Sequence, residues 1–399
     1  MAPSVRLLPN IVEIQESLHA LFYRSYGLRL EHFIVDGGHT RVACWVPASH
    51  GKPVAAAAAA DDDDDEDSAS VRATPGASPT SPMTAERRRR RKPPLLLIHG
   101  FGASSLNHWV KQIQVLSRHF ELYIPSLVFF FSSTSASQKR RGEFFQADAM
   151  LQLMDALGVE RCQVVGLSYG GIVAYRMATL APARVARLAM AGSGVMMNRA
   201  EYDALIERWG VSTTVPLFLP RTPAELLRLI GMAHRVTPYL PEWILQDAVD
   251  RFFENREEKA ELLEDLREQR AKGHPEYPVP QMETLIVWGE DDAVFPISIG
   301  YRMHKCFGAC SRLVVFEKGS HALQADDTDH FNHTILHFLL HGNASPRSSP
   351  TSPAAAAAAA ATAAFSPALL SAGAVAVAAG AAALAAGAVA AMSAATVVQ

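Results

Sequence analysis

The stretch VVGLSYGGIVAY constrains this chain more than any other. A short apolar run, residues 162–165, leads into Gly166-Leu167-Ser168-Tyr169-Gly170, and a helical pattern begins at about Gly171. A glycine two residues to either side of a serine, between a buried strand and a helix, describes a very sharp turn. Side chains at those two positions would collide with the turn, and the serine backbone is held in a strained conformation. The serine hydroxyl then stands exposed at the end of a parallel sheet. The pentapeptide alone says little; in the strand–turn–helix setting it is specific.

The surrounding sequence has the alternation of a parallel α/β protein over residues 94–342. Apolar runs suited to buried strands are LLLI (95–98), ELYI (121–124), CQVV (162–165), RLAM (187–190), TLIVW (284–288) and LVVF (313–316). Helical spacing joins Trp109, Ile113, Leu116 and Phe120, then Phe144, Ala147, Leu151 and Met154, then Phe331, Ile335, Phe338 and Leu339. Between about 195 and 280 the pattern becomes charged and helical without strands, which predicts an all-helical cap inserted over the strand ends. Residues 1–47 predict an amphipathic helix with Ile11, Ile14, Leu18 and Leu21 on its apolar face. A hairpin turning at Asp36-Gly37-Gly38 follows and joins the core.

Two segments fall outside this pattern. Residues 48–93 hold an alanine run, an acidic run, a Ser/Thr/Pro stretch and RRRRRK. Such a segment buries too little apolar surface to offset its chain entropy, and the expectation is a disordered linker. The basic run reads as part of that solvated linker rather than as a nuclear-import signal. Residues 343–399 form an Ala-rich tail, in which 368–392 carry no charge. That length exceeds the ~20 residues needed to span a bilayer. Gly373, Gly380 and Gly387 recur along one helical face, as membrane helix pairs prefer. Alanine contributes little insertion energy, and no Trp or Tyr belt flanks the stretch. A membrane anchor and a plain low-complexity extension both remain open.

The formal net charge of −3, from 37 Lys+Arg and 40 Asp+Glu, argues against a nucleic-acid binder. Four cysteines (Cys44, Cys162, Cys306 and Cys310) are too few for a disulfide scaffold in 399 residues. Glu13 and Glu16 interrupt the N-terminal apolar stretch, so no secretory leader is expected and the chain reads as intracellular.

A serine hydroxyl is a poor nucleophile and needs a base, which needs an orienting acid. On a sheet of this kind the acid and the histidine follow in that order after later strands. TLIVWGEDDAVFP supplies Asp291 and Asp292 after one strand, and LVVFEKGSHALQADD supplies His321 after the last. LLLIHGFGASS places His99-Gly100-Phe101-Gly102 directly after the first core strand. There the Phe101 N–H can join the Tyr169 N–H in binding a tetrahedral oxyanion. His99 reads as a structural residue of that loop. His304 lies near Cys306 and Cys310, but no second ligand pair has zinc spacing, so the cysteines read as buried helix residues and no metal is expected. Trp209, Phe218, Tyr239 and Trp243 read as core aromatics of the cap.

HGFG, GLSYGG, WGEDDAVFP and GSHA, in this order, resemble the α/β-hydrolase fold over about residues 94–342. With CWVP and FFQADAM the chain is similar, more narrowly, to plant α/β-hydrolases akin to monoacylglycerol lipases and carboxylesterases. The resemblance implies Ser168 as nucleophile, Asp292 as acid, His321 as base, and Phe101 and Tyr169 as oxyanion donors. It implies no cofactor, and a small-molecule or lipid ester as substrate. The same residues would serve a slow-turnover small-molecule receptor or a serine-dependent carbon–carbon bond hydrolase. Two departures touch the site. Where the family usually has Pro-Asp-Leu with a glycine nearby, this chain has YIPSLVFFFSS, with Ser126 in place of the acid and Phe131 in place of the glycine.

Overall fold

A computed structural model describes residues 10–51, 92–102, 104–139, 141–272 and 277–344. The 368–392 stretch and most of the 48–93 segment therefore lie outside the described residues. The chain enters through helix α1 (Ile11–Ser25), capped by the Asn10 side chain accepting from the Val12 N–H. Strands β1 (Leu28–Val35) and β2 (Thr40–Pro47) follow as an antiparallel hairpin. Its turn uses positive φ at Gly37 and Gly38, where a side chain would be strained.

The alternation then runs β3 (Pro94–Ile98), α2 (Ser105–Leu116), β4 (Glu121–Pro125), the short β5 (Thr134–Ser135) and α3 (Glu143–Ala156). It continues through β6 (Cys162–Leu167), α4 (Tyr169–Leu180) and β7 (Val185–Ala191). After the cap come β8 (Thr284–Gly289), α10 (Ile297–Phe307), β9 (Ser311–Phe316), α11 (Leu323–Asp326) and α12 (Thr328–His341). The sheet order is β1-β2-β4-β3-β6-β7-β8-β9, with β5 paired to β2. From β4 onward along this order every pair is parallel, and β2 meets β4 antiparallel with Trp45 opposite Ile124. Pro94 of β3 lies opposite Glu121 of the same β4.

All six expected core strands are present. The central ones are buried on both faces because successive side chains alternate between two apolar layers, while β9, at the sheet edge, is only half-buried. Leu95 and Leu97 join a layer with Trp109 and Ile113 of α2 and Phe331 and Phe338 of α12. Leu96 and Ile98 join the opposite layer, with Met150 of α3, Val173 of α4 and Met303 of α10.

Between β7 and β8 lie α5 (Arg199–Arg208), α6 (Val215–Phe218), α7 (Pro223–Ala233), α8 (Glu242–Phe252) and α9 (Arg256–Lys272), with no strand among the described residues. These helices share a small core of Leu219, Leu226, Leu245, Val249, Phe253 and Leu263, against which Phe101 of the main body packs. The cap is also tied to the sheet by charge. Glu143 of α3 is fully buried and accepts from Arg176 Nε at 2.8 Å and from Arg270 Nη1, on α9, at 3.2 Å. Burial alone would raise this carboxyl; the Arg270 and Arg176 guanidiniums outweigh it and hold it ionised below the usual carboxylate range. Arg270 also donates to the Gly194 carbonyl at 3.3 Å.

Several local expectations need correction. The face of α1 carrying Ile14, Leu18 and Leu21 points outward, while Val12, Glu16 and Tyr23 are buried. Glu16 can be inside because Arg251 of α8 pairs with it at 2.7 Å, and Tyr23 because its hydroxyl reaches the Ser105 and Leu106 carbonyls. Phe144 of α3 is exposed, as are Tyr239, on the surface loop after α7, and Trp243, in the first turn of α8. Cys306 is exposed on α10 and Cys310 half-buried in the 3₁₀ turn after it, so neither is a buried helix residue. Helix α4 starts at Tyr169, directly after the serine, two residues before the expected point.

Candidate active site

Ser168 occupies the turn between β6 and α4 with φ 51° and ψ −117°, outside the ordinary regions for a side-chain-bearing residue. Backbone crowding explains both flanking glycines. A Cβ on Gly166 would strike the Gly170 carbonyl, and one on Gly170 would strike the carbonyls of Ile98 and His99. The turn is thus wedged against the end of β3, and strain of this kind persists only where the surroundings over-determine it.

The Ser168 hydroxyl lies 2.9 Å from His321 Nε2, and His321 Nδ1 lies 2.8 Å from Asp292 Oδ2. Asp292 is buried at the end of β8, and its other oxygen accepts from the backbone N–H groups of Val294 and Phe295, both at 2.8 Å. An ionised acceptor on one side gives His321 an N–H at Nδ1 and leaves Nε2 as acceptor for the serine proton. Asp291, the neighbouring acid, is exposed and its backbone N–H donates to the Gly319 carbonyl. Of the two adjacent acids, Asp292 is the one placed against His321.

Phe101 sits two residues after His99 on the loop leaving β3, and its ring meets the Tyr169 ring edge-on at 5.7 Å. An added Cβ on Gly100 would lie 3.1 Å from Ser168 Cβ, so this loop rests directly on the Ser168 turn. Tyr169 is the first residue of α4, where backbone N–H groups have no intrahelical acceptor. His99 is wholly buried: Nδ1 donates to the Gly100 carbonyl at 2.8 Å and Nε2 accepts from the Leu127 N–H at 2.9 Å. Burial pushes its imidazole down to about 4, so it is neutral at physiological pH and acts as a strut between two loops.

Residues outside the sequence-based set complete the surroundings. Gly192, at φ 50°, passes so close that a Cβ would lie 3.1 Å from His321 Nδ1 and 3.3 Å from Asp292 Oδ2. The Phe295 ring lies edge-on to His321 at 5.5 Å. His234, at the end of cap helix α7, pairs with Asp326 at 2.8 Å, and Ser320 donates to the same carboxylate at 2.7 Å. The Ala322 N–H donates to the Ala233 carbonyl, joining the cap to the His321 loop. Burial would raise the Asp326 carboxyl, but His234, the Arg235 N–H and Ser320 together hold it down to about 2. Glycines as such are visible in a sequence; a contact across 92 residues between His234 and Asp326 leaves no local signal.

The departing loop after β4 finds its own solution. Ser126 is buried, its hydroxyl 3.0 Å from that of Ser105. Phe131, standing where a glycine was expected, has φ 52°, and Phe129 has φ 75°. Among the described residues, no group of three or more His, Cys, Asp or Glu side chains is placed to hold a metal ion. Nor is any helix among them long and apolar enough to cross a membrane.

Residues 93–328 match the family described as alpha/beta hydrolase fold. Over 261 residues the chain is 30% identical to a 2-hydroxy-6-oxononadienedioate/2-hydroxy-6-oxononatrienedioate hydrolase of Pseudomonas sp, covering 60% of this chain and 84% of that protein. Among solved structures it superposes on a bacterial membrane phospholipase A with TM-score 0.59, 21% identity and 83% and 92% of the two chains covered. It also superposes on carboxylesterase CesB of Bacillus subtilis with TM-score 0.53, 16% identity and 83% and 99% covered. At these identities the structural likenesses speak for the fold.

Proposed function

The chain belongs to the α/β-hydrolase fold family, and from that premise we propose that it is a serine hydrolase cleaving carboxylic esters with apolar, lipid-like acyl groups. The observation that carries this reading is the unbroken relay Ser168–His321–Asp292, at 2.9 and 2.8 Å, on a strained turn. In this reading the Ser168 oxygen attacks the ester carbonyl carbon while His321 Nε2 takes the hydroxyl proton. The carbonyl oxygen becomes an oxyanion held by the Phe101 and Tyr169 N–H groups. Collapse breaks the bond to the alkoxy oxygen, which leaves as an alcohol with the proton from His321. Water, deprotonated by His321, then attacks the acyl-Ser168 carbonyl, and collapse releases the carboxylic acid and restores the serine. Asp292 orients the imidazole and stabilises its charged form throughout.

The apolar substrate class is supported by the aromatic surroundings of the oxyanion loop: the Phe101 ring meets those of Phe130, Tyr169 and Phe218. A second reading rests on the 30% relative, which is named for a 2-hydroxy-6-oxo acid. Such a compound has no ester bond, so its hydrolysis breaks a carbon–carbon bond beside the ketone.

The deciding experiment uses the purified full chain and Ser168→Ala. Both are treated with a fluorophosphonate probe, a p-nitrophenyl ester series from acetate to palmitate, and a 2-hydroxy-6-oxo-dienoate. Ser168-dependent ester turnover with a chain-length optimum is the expected result. Faster turnover of the dienoate would transfer the assignment to carbon–carbon hydrolysis. Labelling with turnover of neither would favour a ligand receptor, and no labelling would overturn the triad.

A further inference from the structure

Lys259 is the most anomalous charged residue in the described chain. It lies on cap helix α9, is 2% exposed, and no carboxylate lies within ion-pair distance of it among the described residues. Burying an ammonium is costly unless something specific compensates it. Two contacts do: Nζ donates to the Phe252 carbonyl at 2.9 Å, the last residue of α8, and stands 4.7 Å from the centroid of the Phe130 ring. The face of an aromatic ring attracts a cation, most strongly where water is excluded.

Phe130 passes this contact on. Its ring is edge-on to Phe101 at 5.1 Å and to His99 at 5.2 Å, the two residues that set the oxyanion loop. The neighbouring stretch of the cap, from the end of α8 to the start of α9, grips the loop twice more. Asn255, four residues before Lys259, donates to the Phe129 carbonyl at 3.1 Å, and the Arg251 guanidinium stands 5.4 Å from the Phe131 ring. Phe129 and Phe131 are the two residues with positive φ, so their conformation is paid for by these external contacts.

We propose that Lys259 is a positioning residue for the oxyanion hole: its ammonium, seated on Phe130, fixes the ring that braces Phe101, so that docking of the cap sets the N–H aimed at the substrate oxyanion. This rests on the ester-hydrolase reading of Phe101 given above. Because the contact needs the charged form, a pH signature follows. Burial pushes the Lys259 ammonium down to about 8, with Arg256 lowering it further and Glu254 and Glu258 opposing. His99, facing it from the loop after β3, is neutral in that range. Turnover should therefore fall as pH rises through about 8.

The test uses the full chain as wild type, Lys259→Met, Lys259→Arg and Phe130→Leu. For each, kcat and KM on one p-nitrophenyl ester are followed from pH 6 to 10 (about the range set by the usual His and Lys values). Affinity for an alkyl boronic acid, which forms a tetrahedral anion on the serine, is measured alongside. Lys259→Met and Phe130→Leu should lower kcat and boronate affinity together, about tenfold, with KM changed less than about twofold. Lys259→Arg should restore most of the loss and move the alkaline limb upward, since a guanidinium stays charged. Wild-type kcat, boronate affinity and pH profile in Lys259→Met would overturn the proposal, as would a change confined to KM. If Lys259→Met fails to fold, Phe130→Leu and Lys259→Arg decide by the same criteria. Fluorophosphonate labelling of Ser168 separates the cases: a labelled, active wild type with an indifferent Lys259 sinks this inference alone, and an unlabelled one sinks the function beneath it as well.

Discussion

The turn at Ser168 and the loop at Phe129–Phe131 both pack on the loop leaving β3, and both carry positive φ at residues with side chains. The Ser168 turn is held by removal of side chains: Gly166 and Gly170 let backbone meet backbone, so the geometry is fixed within a few consecutive residues and the strand behind them. The aromatic loop is held by addition. Arg251, Asn255 and Lys259 of the cap and Arg141, 5.1 Å from the Phe129 ring, secure it from outside. The first device is local, built from backbone packed on backbone; the second is assembled from distant parts of the chain. The difference teaches that the seat of Ser168 is set by its own sequence neighbours, whereas the loop bracing Phe101 is set by contacts from the cap.

Substitutions can sharpen or break that contrast. Ser168→Ala should lower kcat by about 10⁶ while leaving the melting temperature nearly unchanged, because triad members act as a unit. Steady-state kinetics and calorimetry on one preparation check this, and a large stability loss would mean the turn depends on its serine. Asp292→Asn should lower kcat by about 10⁴ through the wrong imidazole tautomer, whereas Asp291→Asn should stay within about twofold of wild type. Equal effects from the two would contradict the geometry.

On the cap side, Glu143→Ala leaves Arg176 and Arg270 buried with a partner gone, which should cost about 3–5 kcal/mol in urea denaturation. A loss below about 1 kcal/mol would show the cap is joined some other way.

The Asp326 junction gives the smallest effect, and it is pH-dependent. Its carboxyl is depressed to about 2, so its stabilisation is complete above the unfolded carboxylate range and is lost as pH falls toward 2. The amount is about 2 kcal/mol. Asp326→Asn should flatten that part of the stability–pH curve; an unchanged acid limb would remove the junction from the account.

The same division governs what could be read from residues alone. The six strands and the positions of Ser168 and His321 are legible because each depends on neighbours within a few positions: an apolar run, two glycines, a turn after a strand. The acid was narrowed to two adjacent residues and needed the fold to separate them, since only burial and the hydrogen bond to His321 distinguish Asp292. Phe131 in place of a glycine was legible as a departure, but its resolution was not, because Arg251 lies 120 positions further on. The outward turn of Ile14, Leu18 and Leu21 has a similar cause. Periodicity announces an apolar stripe, while the side of α1 that docks was chosen by Glu16 meeting Arg251.

The register of β2 and β3 on β4 has a practical consequence for handling the molecule. Trp45 of β2 lies opposite Ile124 of β4, whose other edge holds β3 with Leu95 opposite Leu122. The end of one strand and the start of the other are thus about 10 Å apart across a single intervening strand. A handful of residues would bridge that gap, yet the connection runs over residues 48–93. Once a connection is long, doubling it costs only about 0.6 kcal/mol. This joint is therefore where a fluorophore, an affinity handle or a whole guest domain can be spliced in while the sheet on either side keeps its register.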